Sequence, residues 1–392
     1  MKNRKVPGLR FGEFEEEWKS VKLSRLLKNS KLKNKDLKFD KNQVLSVAAE
    51  AGVVNQIEYH GRSYAGVSVA PYGVVKKGQL VYTKSPLKAY PYGIIKLNET
   101  ADGVVSTLYA IYTVREGADG KFLDYYFYHA DRLNRYLKPL VNIGAKNDMK
   151  VNNEYVLSDP VIVPTLPEQK KIATFLTAVD TRLAGLRRQR ALLGGYKRGV
   201  MQKLIDPEKF GVWEEVKAGE LFRNVSNKNH DGDLPILAIT QDQGAVYRDD
   251  LEKEVLTSNS SIQSYKIVEP GDFIISLRSF QGGIEYSTVK GICSPAYTIL
   301  KPTRPIVDDF YKAYLKKDRF VERLSKTTVG IREGKQISYS AFAALKIPYP
   351  PLPEQRRIAT FLRALDDRIA LVERQLAGAE AFKRGLLQGM FV

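Results

Sequence analysis

Residues 166–176 read LPEQKKIATFL and residues 352–362 read LPEQRRIATFL, with nine of eleven letters alike and the other two a Lys for Arg exchange. Sliding the chain over itself by 186 positions extends the match to 166–206 against 352–392, where 20 of 41 residues are identical. Upstream, IGAKNDMKVNNEYVLSDPVIVP faces VGIREGKQISYSAFAALKIPYP. Further back KKGQLVY (76–82) lies over EPGDFII (269–275), and VVSTLYAIY (104–112) over ICSPAYTIL (292–300). WKSVKLSRLL from Trp18 lies over WEEVKAGELF from Trp213 at an offset of 195, so the first copy carries about nine extra residues. The chain therefore reads as a tandem duplication. A first globular unit (1–165) and its tail (166–206) precede a second globular unit (207–351) and its tail (352–392).

Each tail opens on Pro-Glu, Pro167-Glu168 and Pro353-Glu354. Proline is tolerated in the first turn of a helix, and an acid there complements the positive end of the helix dipole. Apolar residues then recur at alternating steps of four and three. In the second tail the series is Ile358, Leu362, Leu365, Ile369, Val372, Leu376, Ala379, Lys383, Leu386 and Met390. In the first it is Ile172, Leu176, Val179, Leu183, Leu186, Arg190, Leu193, Lys197, Val200 and Leu204. A 3.5-residue period sustained this long predicts a coiled-coil seam. Two such helices in one chain predict an intramolecular, antiparallel pair; the other reading packs each seam on its own globular unit.

The formal net charge of +18, with a pI near 9.6, calls for a polyanionic partner, nucleic acid before an anionic membrane surface. The basic residues are spread along the chain, which favours a folded binding surface over a basic tail. A single cysteine, Cys293, excludes an internal disulfide framework and fits a reducing cytoplasm. No apolar run is long enough for a membrane span, and the charged start MKNRKVPGLRFGEFEEEW is unlike a secretory signal. The expected location is the cytoplasm.

Both units read as mixed α/β, with short Val, Ile, Thr and Tyr runs bounded by Gly and Pro. Each then has a helical patch, KFLDYYFYHADRLNRYL in the first and DDFYKAYLKKDRFVERL in the second. Two loop regions per unit concentrate polar residues: 83–93 and 142–153, then 276–283 and 327–338. Arg and Lys read guanine edges, Asn and Gln read adenine, and hydroxyls and glycine amides hold phosphates. Lys84, Ser85, Lys88, Lys146, Asn147, Lys150, Arg278, Ser279, Gln281, Arg332, Lys335 and Gln336 are thus candidate DNA contacts. The other reading of such loops is ordinary solvation.

No catalytic constellation emerges. GIREGKQ (330–336) is one residue short of a phosphate loop and has Gln where Ser or Thr would bind magnesium. SDPVIVP (158–164) begins like an adenine methyltransferase box, but its twin KIPYP marks it as a strand leading into the tail. His60, His129, His230 and Cys293 lack metal-ligand spacing. No metal and no cofactor are expected.

A basic chain with two α/β units, each followed by a PEQ-initiated helix, resembles the specificity subunit of type I restriction-modification enzymes. VPGLRFGEFEEEWKSVKLSRLL is similar to the family's usual entry into its first target-recognition domain, and Pro348–Leu362 to its most recognisable boundary phrase. The resemblance covers essentially the whole chain. It implies an α/β fold of two tandem target-recognition domains, each followed by a long helix, the helices pairing as an antiparallel coiled coil. Each domain would read one half of a bipartite double-stranded DNA site. The paired helices would set the unread spacer and dock two methyltransferase subunits, which bind S-adenosylmethionine. Motor-nuclease subunits would complete the enzyme, and this chain would catalyse nothing itself. An RNA-binding or scaffold protein that uses the helices for assembly is the alternative. A third reading is a stand-alone methyltransferase with a degenerate cofactor motif.

Overall fold

The computed structural model describes residues 6–143, 149–205, 213–251, 262–328 and 337–392; for 142–143 and 149–150 it describes the backbone only. The chain divides into two compact units, Met1–Gly185 with Gln375–Val392, and Leu186–Arg374. The tails are helices over Leu166–Leu204 and Leu352–Gly389. Each unit accordingly holds the start of one long helix and the end of the other.

In the first unit a four-stranded antiparallel sheet runs Leu27–Asn29, Tyr109–Val114, Leu80–Thr83, Ile94–Leu97. Three antiparallel pairs flank it: Lys19–Lys22 with Pro160–Val163, Leu45–Ala48 with Gly52–Asn55, and Gly73–Val75 with Gly103–Val105. The second unit repeats this strand for strand. Its sheet runs Phe222–Val225, Thr298–Pro302, Phe273–Ile275, Glu285–Tyr286. Its pairs are Glu214–Lys217 with Lys346–Tyr349, Leu237–Thr240 with Gly244–Tyr247, and Lys266–Val268 with Gly291–Cys293. SDPVIVP and KIPYP are thus strands that lead into the tails, as their sequences predict.

Alternation along the strands divides each interior into two cores. Leu80 and Tyr82 face a large core with Trp18, Phe122 and Leu123, while Val81 faces a small one of Leu45, Val53, Val75, Val105 and Ile111. The second unit's small core is Leu237, Ala245, Val268, Ile274, Cys293 and Ile299, a residue-for-residue counterpart. Cys293 thus stands where the first unit has Val105, as a small apolar side chain, and burial pushes its thiol up to about 12.

The helical patches are helical, as read, but each is broken once. Each is two short helices, Gly120–Tyr126 and Ala130–Leu137, then Asp308–Tyr314 and Asp318–Ser325. The break lies at His129 and Lys317, whose extended backbone precedes each second helix. The turn brings Leu133 and Leu137 onto the core already filled by Phe122 and Tyr126, and Phe320 and Leu324 onto that of Phe310 and Tyr311.

The repeated phrase is a clasp. Glu168 is buried, its carboxylate accepting from Arg10 Nε (2.7 Å), Arg10 Nη2 (2.8 Å) and Trp18 Nε1 (3.2 Å). Glu354 accepts from Trp213 Nε1 at 3.0 Å. Gln169 accepts from Asp119 N (2.9 Å) and donates to Pro164 O (2.9 Å). Gln355 likewise accepts from Val307 N and donates to Pro350 O, both at 2.8 Å. Beyond the clasp, Ile172, Ala173 and Leu176 enter the first large core, and Ile358, Ala359 and Leu362 the second. The incoming helix ends complete these cores. Leu386, Leu387, Met390 and Phe391 lie in the first, where the Phe391 ring is 5.5 Å from that of Phe122. Ile205, the counterpart of Phe391, lies in the second.

The seam pairs antiparallel. In the second unit Arg190 Nε meets Glu373 Oε1 at 2.6 Å and Lys197 meets Asp366, so a rise of one heptad in the first helix matches a fall of one in the second. In the first unit Lys383 meets Asp180 at 2.6 Å, the counterpart of the Lys197–Asp366 bridge. The two lysines that interrupt the apolar series are therefore ion-paired seam members.

Removing one partner of a buried ion pair costs roughly 3–5 kcal/mol, because the other is left uncompensated. Glu168 is 1% exposed against 27% for Glu354, so Glu168→Ala should destabilise the first unit by that amount. Glu354→Ala should cost its unit about 1 kcal/mol, the worth of one hydrogen bond. Each unit has one tryptophan, and it sits in the clasp. Urea unfolding followed by fluorescence in Trp213→Phe and Trp18→Phe backgrounds reads the units separately. Equal losses would discount the Arg10 contribution.

Candidate nucleic-acid interface

In each unit the third sheet strand hands over to the fourth through an irregular loop, 84–93 in the first and 276–284 in the second. Both loops close on a left-handed glycine. A Cβ on Gly93 (φ +88°) would sit 1.9 Å from Thr83 O, and one on Gly283 (φ +86°) 2.3 Å from Leu315 O. Only glycine fits either place.

The first loop is held from several sides. Tyr82 Oη donates to Tyr92 O (2.7 Å), Asn134 Nδ2 to Ala89 O (3.0 Å), and Leu87 and Tyr90 exchange backbone bonds. Ser85 N–H donates to Thr83 Oγ1 at 3.2 Å. Ser85 and Lys88 are exposed and Lys84 is half-buried. Burial, and then the nearby positive charge of Lys33, pull the Lys84 amine below its ordinary range.

The second loop folds into one helical turn, Ser279–Gly282. The Arg278 carbonyl accepts from Gln281 N and Gly282 N, and from Gln241 Nε2 at 3.2 Å. The Arg278 side chain is exposed, as is that of Gln281, and among the described residues Arg278 has no carboxylate partner. Ser279 differs from its sequence reading. It is buried, and its Oγ accepts from Ser276 N at 2.8 Å, so its hydroxyl closes the turn instead of facing a ligand.

Of the other candidates, Lys146, Asn147, Arg332, Lys335 and Gln336 lie outside the described residues, as does GIREGKQ. Lys150 closes the strand pair Asn142–Ile143 and Met149–Lys150. Among the described residues no group of three His, Cys, Asp or Glu side chains is placed to hold a metal ion, and no helix is long and apolar enough to cross a membrane.

Two surface features of the first unit escaped the sequence reading. One is the lysine-rich segment 28–41, whose Lys33 acts electrostatically on Lys84. The other is an aromatic group at 59–64. His60 packs edge-on against Tyr59 (4.8 Å between ring centres) and Tyr64 (5.4 Å), and the Arg62 guanidinium lies 4.8 Å over Tyr64. A count of lysines between strands would have found the first. The second has no motif.

Residues 212–381 match the family model for the type I restriction modification DNA specificity domain. The chain is 27% identical over 271 residues to a Methanocaldococcus jannaschii protein assigned as the MjaX type I restriction enzyme specificity subunit, covering 62% of this chain and 61% of that one. It is 28% identical over 190 residues to the MjaVIII specificity subunit of the same organism, covering 46% and 42%. It therefore spans less than two thirds of the length of either curated relative. The fold is similar to that of the type I restriction-modification S subunit from M. genitalium, with a TM-score of 0.57 and 16% identity over 99% of both chains. A chain from a structure of an assembled type I R-M system gives a TM-score of 0.54 at 18% identity, over 95% and 96%. The chain is thus similar to type I restriction-modification DNA specificity proteins over residues 212–381, and the strands of that stretch recur in the first unit.

Proposed function

We propose that this chain is the sequence-reading subunit of a type I restriction-modification enzyme, binding double-stranded DNA and leaving the chemistry to its partners. One target-recognition domain occupies 1–165 and the other 207–351, each reading half of a bipartite site. The helices at 166–206 and 352–392 hold the spacing between the half-sites. They also dock two methyltransferase subunits, with motor-nuclease subunits completing the assembly. The cytoplasm is the compartment where such an enzyme meets its DNA.

One observation carries this reading. The two units share strands, cores and clasp, yet the loops at 84–93 and 276–284 present different residues at the same place. A duplicated frame with divergent loops is what two readers of different half-sites need. Lys84, Ser85 and Lys88 serve the first half-site, with Lys146, Asn147 and Lys150. Arg278 and Gln281 serve the second, with Arg332, Lys335 and Gln336. Two copies of one clasped helix also give two similar docking surfaces for two copies of one partner.

The direct test is co-expression with the methyltransferase subunit and mapping of methylated adenines. A preference for RNA, or no methylation that depends on this chain, would sink the reading. Arg278→Ala should cost about 1–3 kcal/mol of DNA affinity and relax specificity in one half-site only. Uniform weakening on all sequences would make Arg278 a phosphate contact. Inserting seven residues at equivalent points of both helices, after Gly185 and after Leu371, preserves the seam phase. It adds about 10.5 Å of helix, roughly three base pairs at 3.4 Å each. The methylated site should gain a spacer longer by about that number with both half-sites unchanged, and an unaltered spacer would remove the helices from the role of ruler.

A further inference from the structure

The internal duplication allows a comparison within one chain. What both units share belongs to architecture or to partners that meet both, and what one unit has alone belongs to its own half of the task. Within the globular units, the segment that follows the first sheet strand differs in charge. In the first unit residues 30–44 carry Lys31, Lys33, Lys35, Lys38 and Lys41 against Asp36 and Asp40. In the second, residues 226–236 carry only Lys228 against Asp231 and Asp233.

The lysine segment is built, not trailing. Ser30 N donates to Ile111 O (2.8 Å), Val74 N to Leu32 O (3.0 Å) and Asn34 N to Tyr72 O (3.0 Å), which lays the segment along the Gly73–Val75 strand. Asn34 is 2% exposed and acts as a hub. Its Nδ2 donates to Phe39 O (2.8 Å) and Val69 O (3.3 Å), and its Oδ1 accepts from Phe39 N (3.1 Å). That hub pinches 34–39 into a tight loop, with Leu37 in the left-handed region at φ +51°, the one non-glycine residue there among those described. Such a backbone costs on the order of 1 kcal/mol and persists only where its surroundings impose it. A reciprocal capping box between Asp40 and Gln43 ends the loop.

On this rigid frame the lysines face outward, all five exposed. Lys31 meets Glu154 at 2.9 Å, both largely in solvent. Among the described residues Lys33, Lys35, Lys38 and Lys41 have no ion-pair partner. Four unpaired ammonium groups on a fixed loop, of which Lys33 is felt electrostatically by Lys84 of the candidate reading loop, suit a row of phosphates. Ammonium is a compact point charge that neutralises phosphate without reading bases. An acidic protein surface that meets both units would call for the same lysines in the second unit, which lacks them.

We propose that the loop 30–41 is a DNA-backbone clamp peculiar to the first unit, in which Lys33, Lys35, Lys38 and Lys41 hold phosphates flanking the half-site that unit reads. The clamp rests on the DNA-reading function proposed above. It makes the chain's hold on DNA lopsided, with the first half-site anchored more by phosphates and the second more by base contacts.

The test uses the full chain assembled with its methyltransferase subunits and a duplex carrying the mapped site, with affinity followed by fluorescence anisotropy across a salt series. Each phosphate contact contributes about 0.9 to the slope of log affinity against log salt. Lys33→Gln/Lys35→Gln/Lys38→Gln/Lys41→Gln should flatten the slope by about 2–4 and weaken binding at least tenfold at low salt, with the methylated sequence unchanged. Lys228→Gln, in the matching loop of the second unit, should leave the slope as it was. Should the fourfold variant melt early, Lys35→Gln/Lys38→Gln should still give about half of the change. A wild-type slope in both variants would overturn the clamp, and so would relaxed specificity, which would make these lysines base readers. Loss of the methyltransferase subunits on purification would instead assign the loop to an acidic protein partner. Failure of the wild-type complex to bind duplex DNA at all would strike the proposed function, a result distinct from any of these.

Discussion

The hydrogen bond from a tryptophan indole to the glutamate of the PEQ turn is the joint on which both halves depend. Trp18 stands at the head of the strand Lys19–Lys22, and Trp213 just before Glu214–Lys217, each strand pairing with the one that leads into the long helix. The indole therefore ties the entrance of a unit to its exit, 150 residues apart in the first and 141 in the second. Proline cannot donate a backbone hydrogen bond, and the first-turn glutamate complements the helix dipole while its carboxylate is held by the indole. The glutamine one residue on bonds the loop before the first short helix and the chain before the long one. A helix so fixed at its root directs its seam reproducibly.

The cores show what duplication demands of packing. Leu45, Val53, Val75, Val81, Val105 and Ile111 map onto Leu237, Ala245, Val268, Ile274, Cys293 and Ile299. Only two of these six positions change to a smaller or softer side chain, Val53 to Ala245 and Val105 to Cys293. The large cores accept more exchange, Leu80 for Phe273 and Tyr112 for Leu300, because partners on neighbouring strands shift in compensation. Volume-conserving rearrangement of this kind is what close-packed interiors tolerate.

Much of this was legible in the letters. The long helices, their 3.5-residue seam and the strands before PEQ are periodic or repeated features, and local pattern suffices to find them. Arg190 shows a limit of the pattern: it holds a seam position yet is exposed and paired with Glu373. The Glu–Trp clasp was not legible, since its partners lie far apart in sequence and each has a sufficient local explanation. The break at His129 also escaped, because KFLDYYFYHADRLNRYL keeps helical letters throughout and the tertiary core alone turns the chain. Ser279 read as a phosphate holder because composition cannot tell a hydroxyl that faces out from one that closes its own turn. The lysines of 28–41 were visible as letters, but only the fixed backbone around Asn34 makes them an array.

Charge shows where the duplicated frame was free to drift. On matching helices Lys121 pairs with Asp124 at 3.4 Å and Lys312 with Asp309 at 2.8 Å, the same spacing with the signs reversed. On matching strands Lys96 is buried 4.5 Å over the Tyr128 ring, whereas Glu285 is buried against Lys316 at 2.6 Å. A charge inside one unit needs only a partner in that unit, so both members can change together and the cost of burial stays covered. Of the seam bridges, Lys383 with Asp180 and Lys197 with Asp366 keep their signs and their order, whereas Arg190 with Glu373 has Leu376 and Arg187 at the matching places. Each joins two different helices, and each helix supplies a lysine to one bridge and an aspartate to the other. Reversing one bridge would put a like charge into a helix copied from its neighbour and break the equivalence of the two pairings. The repeated Lys–Asp bridge across the seam, beside inverted signs within the units, is what one duplicated helix paired with its own copy leaves behind, carried on two domains that need only satisfy themselves.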